Sequence, residues 1–421
     1  VYWYALVRAQ ARSSMARSTA VLLVTITVLA TSPIQASSQE ASPDTLTAQA
    51  VLERALSRSP RVLVADAHTQ GARARLADAK VWVPENPVLE ALVDPEVGGR
   101  SKLELTFPME FGYRRHKRIG LAKAEVNREE HSHRDVARLA AAEALESYYR
   151  VLHARDRLVL AQEWRALSEE LHRVAQERHR TGDVALLDLR LSETELARAI
   201  ADSLFEGQAL AGERGVLASV MNISNPRTFV VIGDLADRSI LEPVLRDSLS
   251  GEREDVLAAR SELAAAEAQL ALARTEIIPD LAFRWDREHD DTGAVDAVGV
   301  ELAIPLFARG QGSKGEARAR IRRADIELKH RQTTAAAEIL AAREAYGAAV
   351  AGVAALENEG LQAVRESEAM ALEGYRAGKI NLPTLLLLRR QLLEARRDAA
   401  DRMLETALLG INLAQAMGTW P

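Results

Sequence analysis

Between Arg115 and Thr181 the chain has no proline and a single glycine, Gly120. A stretch of ~65 such residues predicts one helix, ~100 Å long at ~1.5 Å per residue. Leu145, Tyr148, Leu152, Val159, Trp164, Leu167, Leu171 and Val174 make a rough three-four apolar stripe along it. A helix of that length with one narrow stripe does not suit a compact globule. It suits a coiled-coil-like assembly. Thr181-Gly182-Asp183 turns the chain, and a return helix is expected over residues 186–221.

The plan occurs twice. Residues 103–120 (LELTFPMEFGYRRHKRIG) and 300–315 (VELAIPLFARGQGSKG) each read as an alternating strand, a proline and an aromatic, a turn rich in small and basic residues, then a long helix. Pro108 and Pro305, Pro84 and Pro279, and Gly182 and Gly378 are matched landmarks, with offsets 305−108 = 197, 279−84 = 195 and 378−182 = 196. Agreement within two residues indicates an internal duplication. Residues 37–240 form a first repeat of helix, β-hairpin and long helical hairpin, and residues 241–421 a second. In the second half, helices are expected over 242–278, 316–376 and 383–417, the last with leucines at heptad spacing.

Each half carries two short strands. In residues 86–94, Leu89, Ala91 and Val93 alternate with Val88, Glu90 and Leu92. In residues 101–108, Leu103, Leu105 and Phe107 alternate with Lys102, Glu104 and Thr106. In the second half, Leu281, Phe283 and Trp285 alternate with Ala282, Arg284 and Asp286, and Val298, Val300, Leu302 and Ile304 with Gly299, Glu301 and Ala303. Residues 95–99 read as a turn and the acidic stretch 287–296 as a loop. The first helix is expected over 44–80, with Asp44 or Thr45 as N-cap and a kink or restart at Pro60.

Residues 20–30 are apolar and follow Met15 and Arg17, and Ser32-Pro33 and Ala36 lie just beyond. Eleven apolar residues are too few to span a bilayer and suit a cleaved secretory segment. Residues 1–36 are therefore set apart as an upstream extension and signal. The competing reading is an uncleaved anchor. The chain has no cysteine, which excludes disulfides and thiolate metal sites. A net charge of −6 on 421 residues gives no sign of a nucleic-acid partner.

The strands carry an apolar face and a charged one, the latter with Glu90, Lys102, Glu104, Arg284, Asp286 and Glu301. The helices are too long to cover the apolar face. In a membrane barrel that face meets lipid, and the charged face lines a water-filled lumen. Leu103, Leu105, Phe283, Val300 and Leu302 are the residues expected on the lipid side. Four strands cannot close a barrel, and lipid does not tolerate open edges. Several chains must then share one barrel, continued by their helices as a helical tube. The alternative is a soluble α+β protein with a coiled-coil arm.

With these residues the chain resembles the TolC family of outer-membrane efflux channels over about residues 44–417. The resemblance rests on Phe107-Pro108, on Ile304-Pro305-Leu306-Phe307, on YRAGK at 375–379 with LLLLRRQLLEAR after it, on the first-half copy RTGDV at 180–184, and on the terminal NLAQAMG. The compact loops and YRAGK look most like the heavy-metal-efflux, CzcC-like branch. The resemblance implies a mainly helical homotrimer with a four-strand contribution per chain to a shared twelve-stranded barrel. It implies an outer-membrane location, with an α-helical barrel reaching into the periplasm. It also implies docking to a periplasmic adaptor and to an inner-membrane pump of the RND type.

The resemblance further places a gate at the helical tips, at Gly182, Asp183, Asp188, Gly378, Lys379, Thr384 and Leu387. Family channels often close with aspartates after the second-half tip glycine. Here those positions hold Thr384 and Leu387, and Asp188 is the acidic match. Leu385–Leu388 read either as an apolar constriction or as ordinary coiled-coil core. Arg180, Asp183, Asp188, Arg376 and Lys379 are expected to hold neighbouring helix pairs together.

Three other patterns are weaker. Gly310-x-Gly312-x-x-Gly315 matches a dinucleotide fingerprint, but a helix of some sixty residues follows where a ~30-residue βαβ unit is required. His131 and His133 are two apart on a helix and point to different sides; His172 and His179 are too far apart for one ion. All four are expected at solvated positions. His289, Asp290 and Asp291 read as a solvated loop, with a weak cation contact as the competing reading. No nucleophile–base motif is found, so neither an enzyme nor a cofactor is expected. The expected function is a passive exit duct for small solutes or metal cations. A pore-less periplasmic structural or adaptor coiled-coil protein is the alternative.

Overall fold

The computed structural model describes residues 44–83, 85–94, 100–110, 112–242, 252–290, 292–356 and 361–418. The secretory segment, the turn at 95–99, Pro84 and Asp291 lie outside the described residues.

Asp44–Leu46 is a short strand (β1), not the start of a helix. It pairs in parallel with Phe229–Val231 (β4). The N-cap is therefore Thr47, whose hydroxyl oxygen accepts from the Ala50 amide at 3.2 Å. Helix α1 (Ala48–Arg58) stops at Ser59, and Pro60, which lacks an amide hydrogen, opens α2 (Pro60–Ala79) as a restart. Strands β2 (Val88–Asp94) and β3 (Arg100–Met109) lead into α3 (Arg114–Arg180). The 67 unbroken residues of α3 match the expected length. Helix α4 (Leu186–Val220) returns alongside it.

The second half follows with α5 (Glu254–Ala273), a single 3-10 turn at Arg274–Ile277, β5 (Asp280–Asp290) and β6 (Gly293–Ala303). Its long helix is described as α6 (Gln311–Ala355) and α7 (Leu361–Arg376), and α8 (Leu382–Met417) closes the chain. Within the acidic stretch, residues 287–290 and 293–296 are strand and not loop. Arg287 pairs opposite Asp296, Glu288 opposite Val295 and His289 opposite Ala294, so alternation continues to the hairpin end. His289 thus lies on a strand. No described helix is long and apolar enough to cross a membrane.

The largest core gathers α1, β1, α3, α4, β4 and α8 around Leu145, Tyr149, Leu152, Leu217, Phe229 and Ile411, each 1% exposed or less. Burying each of those leucines contributes roughly 1.5–3 kcal/mol. Tyr148 and Tyr149 cross edge to face at 5.3 Å, and their hydroxyls donate to the carbonyls of Ile232 and Asp237 at 2.9 and 2.8 Å. Nearer the sheet, buried alanines line the contacts of α3, α5 and α6, among them Ala122, Ala265, Ala266, Ala317 and Ala324. Small side chains let the helices approach, and ion pairs stitch them. Glu262 of α5 receives Arg128 of α3 at 3.0 Å and Arg320 of α6 at 2.8 Å. Burial alone would raise the Glu262 pKa, but these two guanidiniums outweigh it and hold the carboxyl below its usual range.

Candidate functional site: the sheet and the helical tips

The antiparallel sheet has the order β2-β3-β5-β6. Residues directly opposite share a face, so the register sorts every side chain. One face carries Leu89, Leu105, Trp285 and Val298 in one row, with Phe107, Phe283 and Val300 in the next. Leu103 and Leu302 lie on it too. No described element covers this face: Val300 is 65% exposed, Val298 71% and Leu89 63%. The other face carries Glu90, Lys102, Glu104, Arg284, Asp286 and Glu301. Every strand residue singled out in the sequence thus falls with its own set.

On the polar face Glu90, Glu104 and Asp286 stand in one row across three strands. Like charges directly opposite are destabilising. Lys102 and Arg284 offset this. Lys102 Nζ lies 2.8 Å from Glu104, and Arg284 donates to Glu104 at 2.6 Å and to Asp286 at 3.1 Å. Glu90 and Glu301 are exposed. Three of the four strands also have the length of a membrane crossing, and β2 has seven described residues. β3, β5 and β6 have 10, 11 and 11 residues, and a tilted strand needs ~9–11 to cross a bilayer.

At the far end of the helices the two tips have one construction. Gly182 and Gly378 have φ of +85° and +70°, the left-handed region where glycine carries no Cβ penalty. Asp183 N–H donates to Arg178 O and Gly182 N–H to His179 O. Lys379 N–H donates to Gly374 O and Gly378 N–H to Tyr375 O. Both are Schellman caps. Asp188 is half-buried in the first turn of α4, where a carboxylate suits the helix dipole. The Thr384 amide is held by the Asn381 side chain at 3.0 Å, and the Thr384 side chain is exposed. Leu385 and Leu386 are buried with Trp164, Leu171 and Tyr375, while Leu387 is 58% exposed. Within one turn Leu385 and Leu386 thus face the core and Leu387 and Leu388 face outward.

Within this chain Arg180 and Asp183 make local contacts and not bridges between the hairpins. Arg180 pairs with Glu177 of its own helix at 3.1 Å, and Asp183 accepts from the Thr181 hydroxyl at 3.1 Å. The side chain of Arg376 lies outside the described residues. The bridges are others. The Arg178 guanidinium sits over the Tyr375 ring at 5.1 Å. Arg390 donates to the buried Glu195 at 2.7 Å, and Asp401 of α8 meets both His153 at 2.6 Å and Arg157 at 3.2 Å. Two of these pairs stand 195 and 375−178 = 197 residues apart. That spacing was legible in the sequence as the repeat offset.

The histidines are less solvated than expected. His131 meets Glu254 at 2.7 Å, His172 meets Ser192 at 3.0 Å and His179 meets the Val184 carbonyl at 3.1 Å. His131 and His172 each meet a neighbouring helix and His179 its own tip loop, so a polar group of the chain replaces water at all three. Gly310, first glycine of the fingerprint-like run, has φ +69° and lies against Glu276, which accepts from Ser313 at 2.8 Å. A carboxylate of the chain itself occupies that helix N-terminus.

Residues 245–419 match the family model described as Outer membrane efflux protein. The chain is 25% identical over 316 residues to the cobalt-zinc-cadmium resistance protein CzcC of Cupriavidus metallidurans, covering 74% of this chain and 76% of that one. Its fold is similar to the CmeC outer membrane channel of Campylobacter jejuni, with a TM-score of 0.72 at 16% identity over 88% of this chain and 85% of that one. It is likewise similar to the open-state MtrE outer membrane channel of Neisseria gonorrhoeae, with a TM-score of 0.72 at 17% identity over 88% of each chain.

Proposed function

We propose that this chain, a TolC-family outer-membrane efflux protein, is one of three identical subunits of a passive exit duct. The single observation that carries the reading is the four-stranded sheet with one uncovered apolar face and two free edges, β2 and β6. Unpaired backbone in lipid costs several kcal/mol per group. The strands alternate in direction, so β6 of one copy can pair antiparallel with β2 of the next. Such a head-to-tail contact closes as a ring. Three copies bring 4 × 3 = 12 strands, the number the family resemblance implies.

Leu103, Leu105, Phe283, Val300 and Leu302 then face lipid, and Glu90, Lys102, Glu104, Arg284, Asp286 and Glu301 face the lumen. The two halves are a duplication divided near residue 240, and their tips stand side by side at the periplasmic end. The tips, at Gly182, Asp183, Asp188, Gly378, Lys379, Thr384 and Leu387, form the gate and the docking site for a periplasmic adaptor. An inner-membrane pump of the RND type supplies the energy. The duct itself is no enzyme and carries no cofactor. The named lumen residues hold four carboxylates to two cations, which suits metal cations as cargo and accords with the relative named for cobalt, zinc and cadmium resistance. A pore-less periplasmic coiled-coil protein would have no use for the exposed apolar sheet.

Glu301 is exposed and forms no hydrogen bond within the Lys102–Glu104–Arg284 cluster, touching it only through its charge on Arg284, so it tests the lumen charge with the least disturbance of packing. Glu301→Lys is expected to leave the trimer intact and to lower cation preference in planar bilayers. Unchanged selectivity would place that face outside the conducting path. At the other end, Asp188→Arg is expected to change resting current or adaptor binding without unfolding. A carboxylate in the first turn of a helix is worth only ~0.3–1 kcal/mol, which suits a gate that a partner opens. If current, cation preference and adaptor binding all match the parent, Asp188 has no part in the gate.

A further inference from the structure

Along α8 the residues at 385, 389, 392, 396, 399 and 403 are spaced by four and three in turn, the period of a coiled-coil seam. Leucine, alanine and methionine hold four of these positions. Arg389 and Arg396 hold the other two. A charged residue in such a seam costs stability. Both arginines are nevertheless drawn in: Arg389 is 7% exposed, and the Arg396 side chain 28%.

The structure places them at a gap. The first tip hairpin, α3 with α4, meets the second, α7 with α8, along the contact of α3 with α8. Toward the sheet, Asp401 of α8 joins His153 and Arg157 of α3. Toward the tips, Leu385 and Leu386 of α8 share a core with Leu171 and Ala175 of α3. Between these two zones lies a cavity of about 140 Å³. Leu160, Trp164 and Leu167 of α3 and Leu392 and Leu393 of α8 supply its apolar wall. Arg389, Arg396 and Glu163 supply its charge, two cations to one carboxylate. Glu163 is the weak member: its side chain is 60% exposed and lies 3.4 Å from Arg396.

We propose that this cavity is a binding site for a small aromatic monocarboxylate. An apolar cavity of ~150 Å³ holds one benzene ring, so the size fits a single ring. The ring packs between Trp164 and the leucines. The carboxylate takes the place of Glu163 on the Arg396 guanidinium, whose planar fork matches it. Arg389 adds a second positive charge from the same wall. Bound there, the anion bridges α3 and α8 across a gap in their contact and ties the two hairpins together. The site lies within one chain, so it does not depend on the shared barrel.

Benzoate is the probe, titrated into the full detergent-solubilised protein by calorimetry. Trp164 emission gives a second readout, in a form whose other tryptophans are phenylalanine. Saturable heat and a matching change in Trp164 emission are expected. Benzyl alcohol, which has the ring without the charge, should bind roughly tenfold more weakly, as should benzoate to Arg396→Gln. Glu163→Gln should bind benzoate roughly two- to fivefold more tightly, because it removes the competing carboxylate. Leu393→Phe should fill the cavity and abolish binding. If that variant does not fold, the two rim variants decide, since neither carries the apolar wall. No saturable benzoate binding would overturn the site, as would binding that survives in folded Leu393→Phe. Equal affinity for benzyl alcohol, or for Arg396→Gln, would overturn carboxylate recognition and leave the arginines to set helix register alone.

Discussion

Lysine at Leu105 is expected to abolish stable insertion, whereas lysine at Glu301 is tolerated. Leu105 sits mid-sheet between Leu89 and Trp285, on the face no described element covers. A lysine at the bilayer midplane costs ~2–4 kcal/mol. In the proposed three-chain barrel the effect is tripled, so the assembled form should be lost from outer-membrane fractions and from detergent gels. Val300→Lys, on β6 opposite Phe283, should behave alike. Equal damage from the lysines on both faces would mean that lipid and lumen are wrongly assigned.

Arg138→Met is expected to be the most damaging single change away from the membrane, at ~1–3 kcal/mol, because it takes a buried donor from the half-buried Asp135 and from the Gln415 carbonyl. Arg138 is 4% exposed, donates to Asp135 at 2.6 Å and caps the end of α8 through Gln415 O at 2.5 Å. Beside it Arg253 donates to Asp255 and Glu338, both at 2.6 Å, and to Ala416 O at 3.3 Å. Two arginines thus hold the negative end of α8. Burial would raise the Asp255 pKa, but Arg253 and Arg138 outweigh it and hold the carboxyl below its ordinary value. A carboxyl depressed in the folded state stabilises fully above its unfolded pKa of ~3.9. That contribution fades as pH falls below there through the folded value. Thermal melts should therefore show stability lost below about pH 4 in the parent, with a smaller acid loss in Asp255→Asn. An unchanged melting temperature in Arg138→Met would show that the cluster is dispensable.

The long helices and their turns were legible because proline and glycine punctuate an otherwise unbroken helical sequence. Gly182 and Gly378 stand where φ is positive, and each ends its long helix there. The strand faces were legible because alternation survives in both halves. The ends of β5 and β6 were misread because Arg287, Glu288 and Asp296 look like loop residues. They sit where a strand leaves the apolar zone, and polar residues there pair across the hairpin. β1 escaped notice because it is three residues long and its partner begins at Phe229. The contacts that join the tips are set by which helix faces meet. No local spacing tells that Arg178 reaches Tyr375 rather than an acidic neighbour, or that Arg180 folds back on Glu177.

The proposed duct requires several chains to share one sheet. The direct measurement is the number of chains in the detergent-solubilised particle, by crosslinking together with its β content by circular dichroism. Three chains per particle, with the strand signal lost when the particle is dissociated, is the predicted result. A stable monomer that keeps its full β content would contradict it, because β2 and β6 would then have no need of a neighbour.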